Sequence, residues 1–171
     1  MAVVINGTTG ISGVSTVNLA NGSVTQNILA NGVAGTGPAF SAYQSSGQTL
    51  SSNTWTKISF QTEEFDTANC FDAASTYRFT PNVAGYYQLS GGIAVATSST
   101  YMYLQFYKNG SGYKVVLNSS AALIAGASGS ILVYLNGLTD YVELYAYLAT
   151  GQALSATLQS TYFQAALVRA A

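Results

Sequence analysis

From Ala39 onward, apolar and polar residues alternate with a period close to two. Phe40 and Ala42 open a first stretch, Gly47 to Asn53 reads as a loop, and Thr56, Ile58 and Phe60 then alternate with Trp55, Lys57 and Ser59. A period of two places successive side chains on opposite faces of a sheet, so these stretches predict half-buried strands. The central stretch runs from Tyr77 to Val95. Tyr77 and Phe79 alternate with polar neighbours, Pro81 to Gly85 supplies a turn, and Tyr87, Leu89 and Ile93 resume the alternation. Pro81 has no N–H for a ladder and Gly85 tolerates a positive φ, which predicts two strands with a turn between them.

Beyond that corner, Tyr101, Tyr103, Gln105 and Tyr107 share one face of a strand whose other face carries Met102, Leu104 and Phe106. Val142, Leu144, Ala146 and Leu148 alternate with Tyr141, Glu143, Tyr145 and Tyr147 in the same way. Neither face of these strands suits open water, and tyrosine, with its apolar body and polar tip, suits an interface. Lys108-Asn109-Gly110-Ser111-Gly112 is a hairpin signal, with Tyr113 to Leu117 returning. Gly129 to Leu135 is short and apolar enough for a buried strand, Asn136-Gly137 turns it, and Thr161 to Arg169 supplies the last strand. Helical apolar spacing is absent. Short strands separated by Gly and Asn turns predict an all-β sandwich or jelly roll over residues 39–171.

Residues 1–38 follow another pattern. They contain no charge and no aromatic, and Leu19-Ala20-Asn21-Gly22 recurs as Leu29-Ala30-Asn31-Gly32. Their apolar residues are too sparse for a core, and they lack the charge of a disordered tail. The expectation is an extended N-terminal docking arm in which Val3, Val4, Ile5, Ile11, Leu19 and Leu29 pack against another surface. Gly35-Thr36-Gly37-Pro38 reads as its linker to the domain.

Composition narrows the function. Charged residues make up 6% of the 171 residues, against about 25% in an ordinary domain. A surface so poor in charge is expected to be buried in an assembly. The net charge of −1 is spread thinly, with no basic stripe for a phosphate backbone, so nucleic acid is not an expected partner. The absence of histidine removes the usual general base and the commonest transition-metal ligand. Cys70 is the only cysteine, which leaves no internal disulfide or thiolate cage and predicts a small buried residue. No catalytic residue, metal or cofactor is expected. Glu63, Glu64, Asp66 and Asp72 offer oxygen donors suited to calcium, but in no EF-hand spacing, and a solvated loop is expected there. Leu144 to Val168 is interrupted by polar residues and predicts no membrane span. The start of the chain lacks the pattern of a secretory signal, and the Asn-x-Ser/Thr sequons at Asn6, Asn21, Asn109 and Asn118 are expected by chance in so Asn- and Ser-rich a chain.

Several segments, taken in order, resemble the globular head of complement component 1q and its relatives in the tumour necrosis factor superfamily. Ala39-Phe40-Ser41-Ala42 is similar to that family's first strand, and Tyr77-Arg78-Phe79-Thr80-Pro81 with Ala84-Gly85-Tyr86-Tyr87-Gln88-Leu89 to its central corner. Leu104 to Gly110, Gly129 to Leu135 and Thr161 to Val168 are similar to later strands, so the likeness covers residues 39–169. Ala165 stands where the family usually has glycine, and Leu138-Thr139-Asp140 interrupts its usual Gly-Asp turn. The resemblance implies a jelly roll assembled as a homotrimer, with inner sheets around a threefold axis. Tyr87, Tyr101, Tyr103, Tyr134 and Tyr162 are the candidates for that interface.

Residues 1–38 hold no Gly-X-Y repeat, which excludes a collagen stalk. Val3 to Gly13 resembles instead the opening of tailed-bacteriophage fibre and decoration proteins. Together these readings imply a non-enzymatic virion structural protein, a trimeric fibre or knob attached through residues 1–38 to other virion proteins and contacting a host surface receptor or glycan. A capsid decoration protein that stabilises the head and a secreted glycan-binding module are the alternatives. A hydrolase built on the acids near Glu63 would need carboxylates paired across a cleft.

Overall fold

The computed structural model describes residues 37–119 and 124–171, together with two short strands, Val4–Asn6 (β1) and Gly10–Ser12 (β2). The chain divides into two units, residues 1–30 and 31–171. In the first, β1 and β2 pair antiparallel with Ile5 opposite Ile11. Of the candidate docking residues, Val3, Leu19 and Leu29 lie outside the described residues.

In the second unit the alternating stretches become strands of two facing sheets. One has five strands in the order Ile124–Leu135 (β10), Gly85–Ser99 (β7), Tyr162–Ala170 (β13), Ala39–Tyr43 (β3) and Thr62–Asp66 (β6). The other has four, in the order Thr56–Lys57 (β5), Val142–Leu148 (β11), Met102–Lys108 (β8) and Ser111–Ser119 (β9). Thr49–Leu50 (β4) and Gln152–Ala153 (β12) form a small ladder of their own. The chain crosses repeatedly between the two large sheets, as in a jelly roll, and no helix occurs among the described residues.

The inward positions fill the space between the sheets. Phe163 of β13 meets Phe40 edge-on at 5.0 Å and lies 5.9 Å from Phe106 of the opposite sheet, while Phe40 stacks on Phe71 at 4.5 Å. Aromatic pairs in these geometries add to the burial of their area. Tyr87 belongs to this core. Its ring is fully buried, packs edge-on against Phe79 at 5.4 Å, and its hydroxyl donates to the Val83 carbonyl at 2.7 Å. Burial pushes that hydroxyl's pKa up. Tyr87, a candidate for the interface, therefore belongs to the core instead, because its position on β7 points inward.

Other expectations change with the backbone. Tyr77 and Phe79 form no strand, because Tyr77 takes a φ of 49° and Phe79 makes only single bridges, to Phe71 and to Val142. The second strand shrinks to β5, although Ile58 N still donates to Leu144 O of β11 at 2.9 Å, and glutamine side chains take the place of a ladder on its other edge. Gln48 donates to Lys57 O at 2.7 Å and accepts from Ser59 N at 2.9 Å, and Gln44 donates to Ser59 O at 3.2 Å. Glu63, Glu64 and Asp66 lie on β6, an edge strand rather than a loop, where charge discourages pairing with another chain's edge. Gly37 is no free linker either. A side chain there would collide with Leu167, whose N–H donates to Pro38 O at 3.0 Å. The Asn109-Gly110 turn forms as expected, with φ of 53° and 77°.

Candidate functional site

The outward faces of the two sheets carry whatever this domain presents, and they are built differently. On the five-stranded sheet, Tyr134 of β10 lies opposite Tyr86 of β7, and Arg169 of β13 pairs with Tyr86 from the other side. The next row is Leu132, Gln88, Ala166 and Ala39, followed by Ser130, Ser90, Gln164 and Ser41. Leu132 is 52% exposed and Val168 49%, and Tyr86, Tyr134 and Phe65 are also exposed. Two open hollows mark this face. One of about 540 Å³ lies among Tyr86, Leu132, Val168 and Arg169, and one of about 230 Å³ has Phe65 on its wall and Ala39, Gln88, Gln164 and Ala166 around it.

The run from Gly129 to Leu135 was expected to be buried. Ile131, Val133 and Leu135 are, whereas Leu132 and Tyr134 of the same strand are not. A run that is apolar in both parities and covered on one side only is the sequence signal that sequence reasoning missed for Leu132, Tyr86 and Val168.

On the four-stranded sheet, β5, β11 and β8 largely cover their own outward face, while Val115 of the edge strand β9, opposite Gln105, is 48% exposed. Tyr147 of β11 faces Tyr103 of β8, Tyr145 faces Gln105, and Glu143 faces Tyr107. Trp55 packs across them, with ring centroids 5.5 Å from Tyr147, 6.1 Å from Tyr103 and 6.2 Å from Tyr107. Tyr107 stacks on Tyr145 at 3.8 Å and Tyr101 on Tyr147 at 5.9 Å. Asn53 Oδ1 accepts from the Tyr101 hydroxyl at 2.6 Å and from that of Tyr147 at 3.4 Å. Lys57 bonds Glu143 at 3.1 Å, and Glu143 is only 5% exposed although its position points outward. These rings are half-buried by one another, and among the described residues no second layer of chain lies over them. Burial pushes the Tyr107 and Tyr145 hydroxyls up, and Glu143 adds to the shift at Tyr145.

The interface candidates are thus divided. Tyr134 and Tyr162 lie on the five-stranded face, where Tyr162 sits over Gly92; Tyr101 and Tyr103 lie on the four-stranded face; Tyr87 lies in the core.

Two of the acids near Glu63 turn to their own backbone, while Glu64 accepts from the Ser41 hydroxyl at 2.6 Å. Asp66 accepts from the N–H groups of Ala68, Cys70 and Phe71, at 3.1, 2.6 and 2.7 Å. Asp72 accepts from the hydroxyls of Thr76 and Ser75, both at 2.7 Å, and from backbone N–H groups of the same turn. Those bonds, the hydroxyls first, hold Asp72 well below the usual carboxylate range. Glu63 shifts upward, through burial first and then through repulsion from Asp66 and Asp72. Among the described residues no group of three or more acids, cysteines or histidines is placed to hold a metal.

At one end of the sandwich, Asp140 joins two turns. It pairs with Lys108 at 3.0 Å and accepts from Asn109 Nδ2 at 2.8 Å and Asn136 N at 3.1 Å. Asn136 Oδ1 in turn accepts from the N–H groups of Leu138, Thr139 and Asp140. The departure at Leu138-Thr139-Asp140 is therefore a closed polar turn. The side-chain amide of the Asn109 sequon is held within it.

No protein-family model matches the chain, and no curated protein matches it in sequence. Solved structures share its fold. The Eiger TNF of S. frugiperda aligns with a TM-score of 0.60 at 10% identity, over 79% of this chain and 95% of that one. Murine APRIL gives 0.59 at 12%, over 77% and 99%. The vertex protein P5 of PRD1 gives 0.52 at 17%, over 77% and 96%. At such identities the likeness is one of fold, and it gives the domain a tumour necrosis factor-like jelly roll.

Proposed function

We propose that this chain is a non-enzymatic structural protein of a tailed-bacteriophage virion, a knob that assembles as a homotrimer through the outward face of its five-stranded sheet. The observation that carries the reading is the bare apolar face itself. Leu132, Tyr86, Tyr134 and Val168 stand together and exposed on adjacent strands. Contiguous exposed apolar area of this kind marks a surface that another protein covers. A second copy, with the same neutral chemistry, supplies that cover.

Three further features support the virion part. The chain is poor in charge, Val3 to Gly13 resembles the opening of tailed-bacteriophage fibre and decoration proteins, and a protein named for a vertex shares the fold. In this reading residues 1–38, with Val3, Val4, Ile5, Ile11, Leu19 and Leu29, hold the knob on other virion proteins and leave the domain free to meet the host surface. Repetition of the knob on the particle turns weak single contacts into firm attachment.

The test is mass spectrometry of purified virions whose genome encodes the chain, followed by immunogold labelling. Finding the chain on the particles, and losing it when residues 1–38 are deleted, is the expected result. Particles that lack the chain would refute the reading.

A further inference from the structure

The four-stranded face presents chemistry that its own packing does not use up. Trp55, Tyr103, Tyr107 and Tyr145 form a continuous half-buried patch whose rings lean on one another at tilts of 57° or less where Trp55 meets Tyr103 and Tyr107 and where Tyr107 meets Tyr145. Within the cluster, Tyr101 and Tyr147 direct their hydroxyls to Asn53. For the Trp55 indole N–H, the hydroxyls of Tyr103, Tyr107 and Tyr145, and the Gln105 side-chain amide, the described residues supply no hydrogen-bond partner. The charges in these rows, Lys57 and Glu143, are spent on each other. The patch is therefore apolar in its rings, rich in free hydroxyl and amide groups at its rim, and electrically neutral.

A ligand that matches all three properties has apolar C–H faces to lie on aromatic rings, many hydroxyls to exchange hydrogen bonds with the rim, and no charge. We propose that this face is a binding platform for a neutral carbohydrate, with Trp55 as the stacking residue and Tyr103, Tyr107 and Gln105 as the groups that read sugar hydroxyls. A protein partner would favour the other face, where Leu132 and Val168 stand bare beside Tyr86 and Tyr134, whereas here Val115 is exposed at the edge strand only. An anionic polysaccharide or a phosphate would need an unpaired cation among these rings, and Lys57 is already held by Glu143. The inference deepens the host-contact part of the proposed function by naming the class of molecule touched. It does not depend on the virion or on the trimer.

Trp55 is the chain's only tryptophan, so its fluorescence reports from the site itself. Maltohexaose, cellohexaose and chitohexaose are titrated into the full-length protein while Trp55 emission is followed, alongside a printed array of neutral and anionic glycans. The expected result is a saturable change in emission with at least one neutral hexasaccharide and array signal confined to neutral glycans. Affinity measured by calorimetry is expected to fall about tenfold in Trp55→Ala, a loss of the size carried by one aromatic contact. If Trp55→Ala does not fold, the double variant Tyr103→Phe and Tyr107→Phe removes only two hydroxyls and is expected to weaken binding as well. No emission change with any hexasaccharide and no array signal, or binding indifferent to these substitutions, would overturn the proposal. So would a change in solution mass caused by Trp55→Ala, since the face would then be a subunit contact. A trimer that fails to form in the wild-type protein would refute the assembly reading and leave this one standing.

Discussion

The two outward faces of the sandwich solve the same problem in opposite ways. Both are apolar, in a chain with few charges to decorate any surface. On β5, β11 and β8 of the four-stranded sheet the side chains are large and flat, so Trp55 and the tyrosines shield one another and Glu143 is covered beside a partly exposed Lys57, with Val115 left open only at the edge strand. On the five-stranded sheet Tyr86 and Tyr134 meet edge-on at 5.5 Å, but Gln88, Gln164, Ala166 and Ser90 fill the rows beside them, and Leu132 and Val168 remain open. Apolar character alone therefore does not identify an interface. What matters is whether the side chains can bury one another within a single chain.

This contrast can be broken most forcefully at Leu132. Leu132→Asp puts a carboxylate in the middle of the bare face, where association would desolvate it without a partner. The expected outcome is conversion of the trimer to monomer in sedimentation velocity, whereas Tyr147→Ser on the aromatic face leaves the mass unchanged. Stability of the isolated fold should respond in reverse. Trp55→Ala removes the ring that three tyrosines pack against and should cost about 1–3 kcal/mol in urea unfolding. Under conditions that keep the chain monomeric, Leu132→Ala should stay within about 0.5 kcal/mol.

A smaller effect is expected at the ion pair. Lys57→Met leaves the covered Glu143 carboxylate without its partner and should cost about 1–2 kcal/mol, and adding Glu143→Gln should recover part of it. Measuring the single and double variants by urea unfolding separates the lost pair from the stranded charge.

The smallest effect is the pH response, and it arises away from both faces. Asp72 and Asp140 titrate below the usual value of 3.8, Asp72 through the Thr76 and Ser75 hydroxyls, and Asp140 because bonds from Asn109, Lys108 and Asn136 outweigh the upward push of burial. Their folded-state pKa values are depressed. The stability they contribute is thus present above 3.8 and lost as pH falls below it. Glu63 acts in the opposite sense, since its raised pKa favours the protonated folded form. A melting temperature that declines below pH 3.8 in the wild-type protein, and declines less in Asp140→Asn, is the expected result.

Much of the fold was legible because period-two alternation fixes which side chains share a face. Met102, Leu104 and Phe106 turn inward against Val142, Leu144, Ala146 and Leu148 as their spacing requires. Asn109-Gly110 marked its hairpin, because both positions need a left-handed backbone. Alternation does not say which face a second layer covers, and that hid the bare surface. Tyr87 and Tyr134 look alike in sequence, yet one lies at an inward position of β7 and the other at an outward position of β10. Nor does alternation show where side chains stand in for a neighbouring strand, so Gln44 and Gln48 occupy the outer edge of the second strand without a visible mark. The acids of β6 looked like a loop because charge and turn composition coincide on edge strands.

The most direct test is the solution mass of the full-length wild-type protein beside Leu132→Asp, by light scattering after size exclusion. The expected result is three times the 17.8 kDa chain mass for the wild type and a single chain for the variant. A wild-type monomer, or a trimer that persists in the variant, would contradict the assignment of the five-stranded face as the assembling surface.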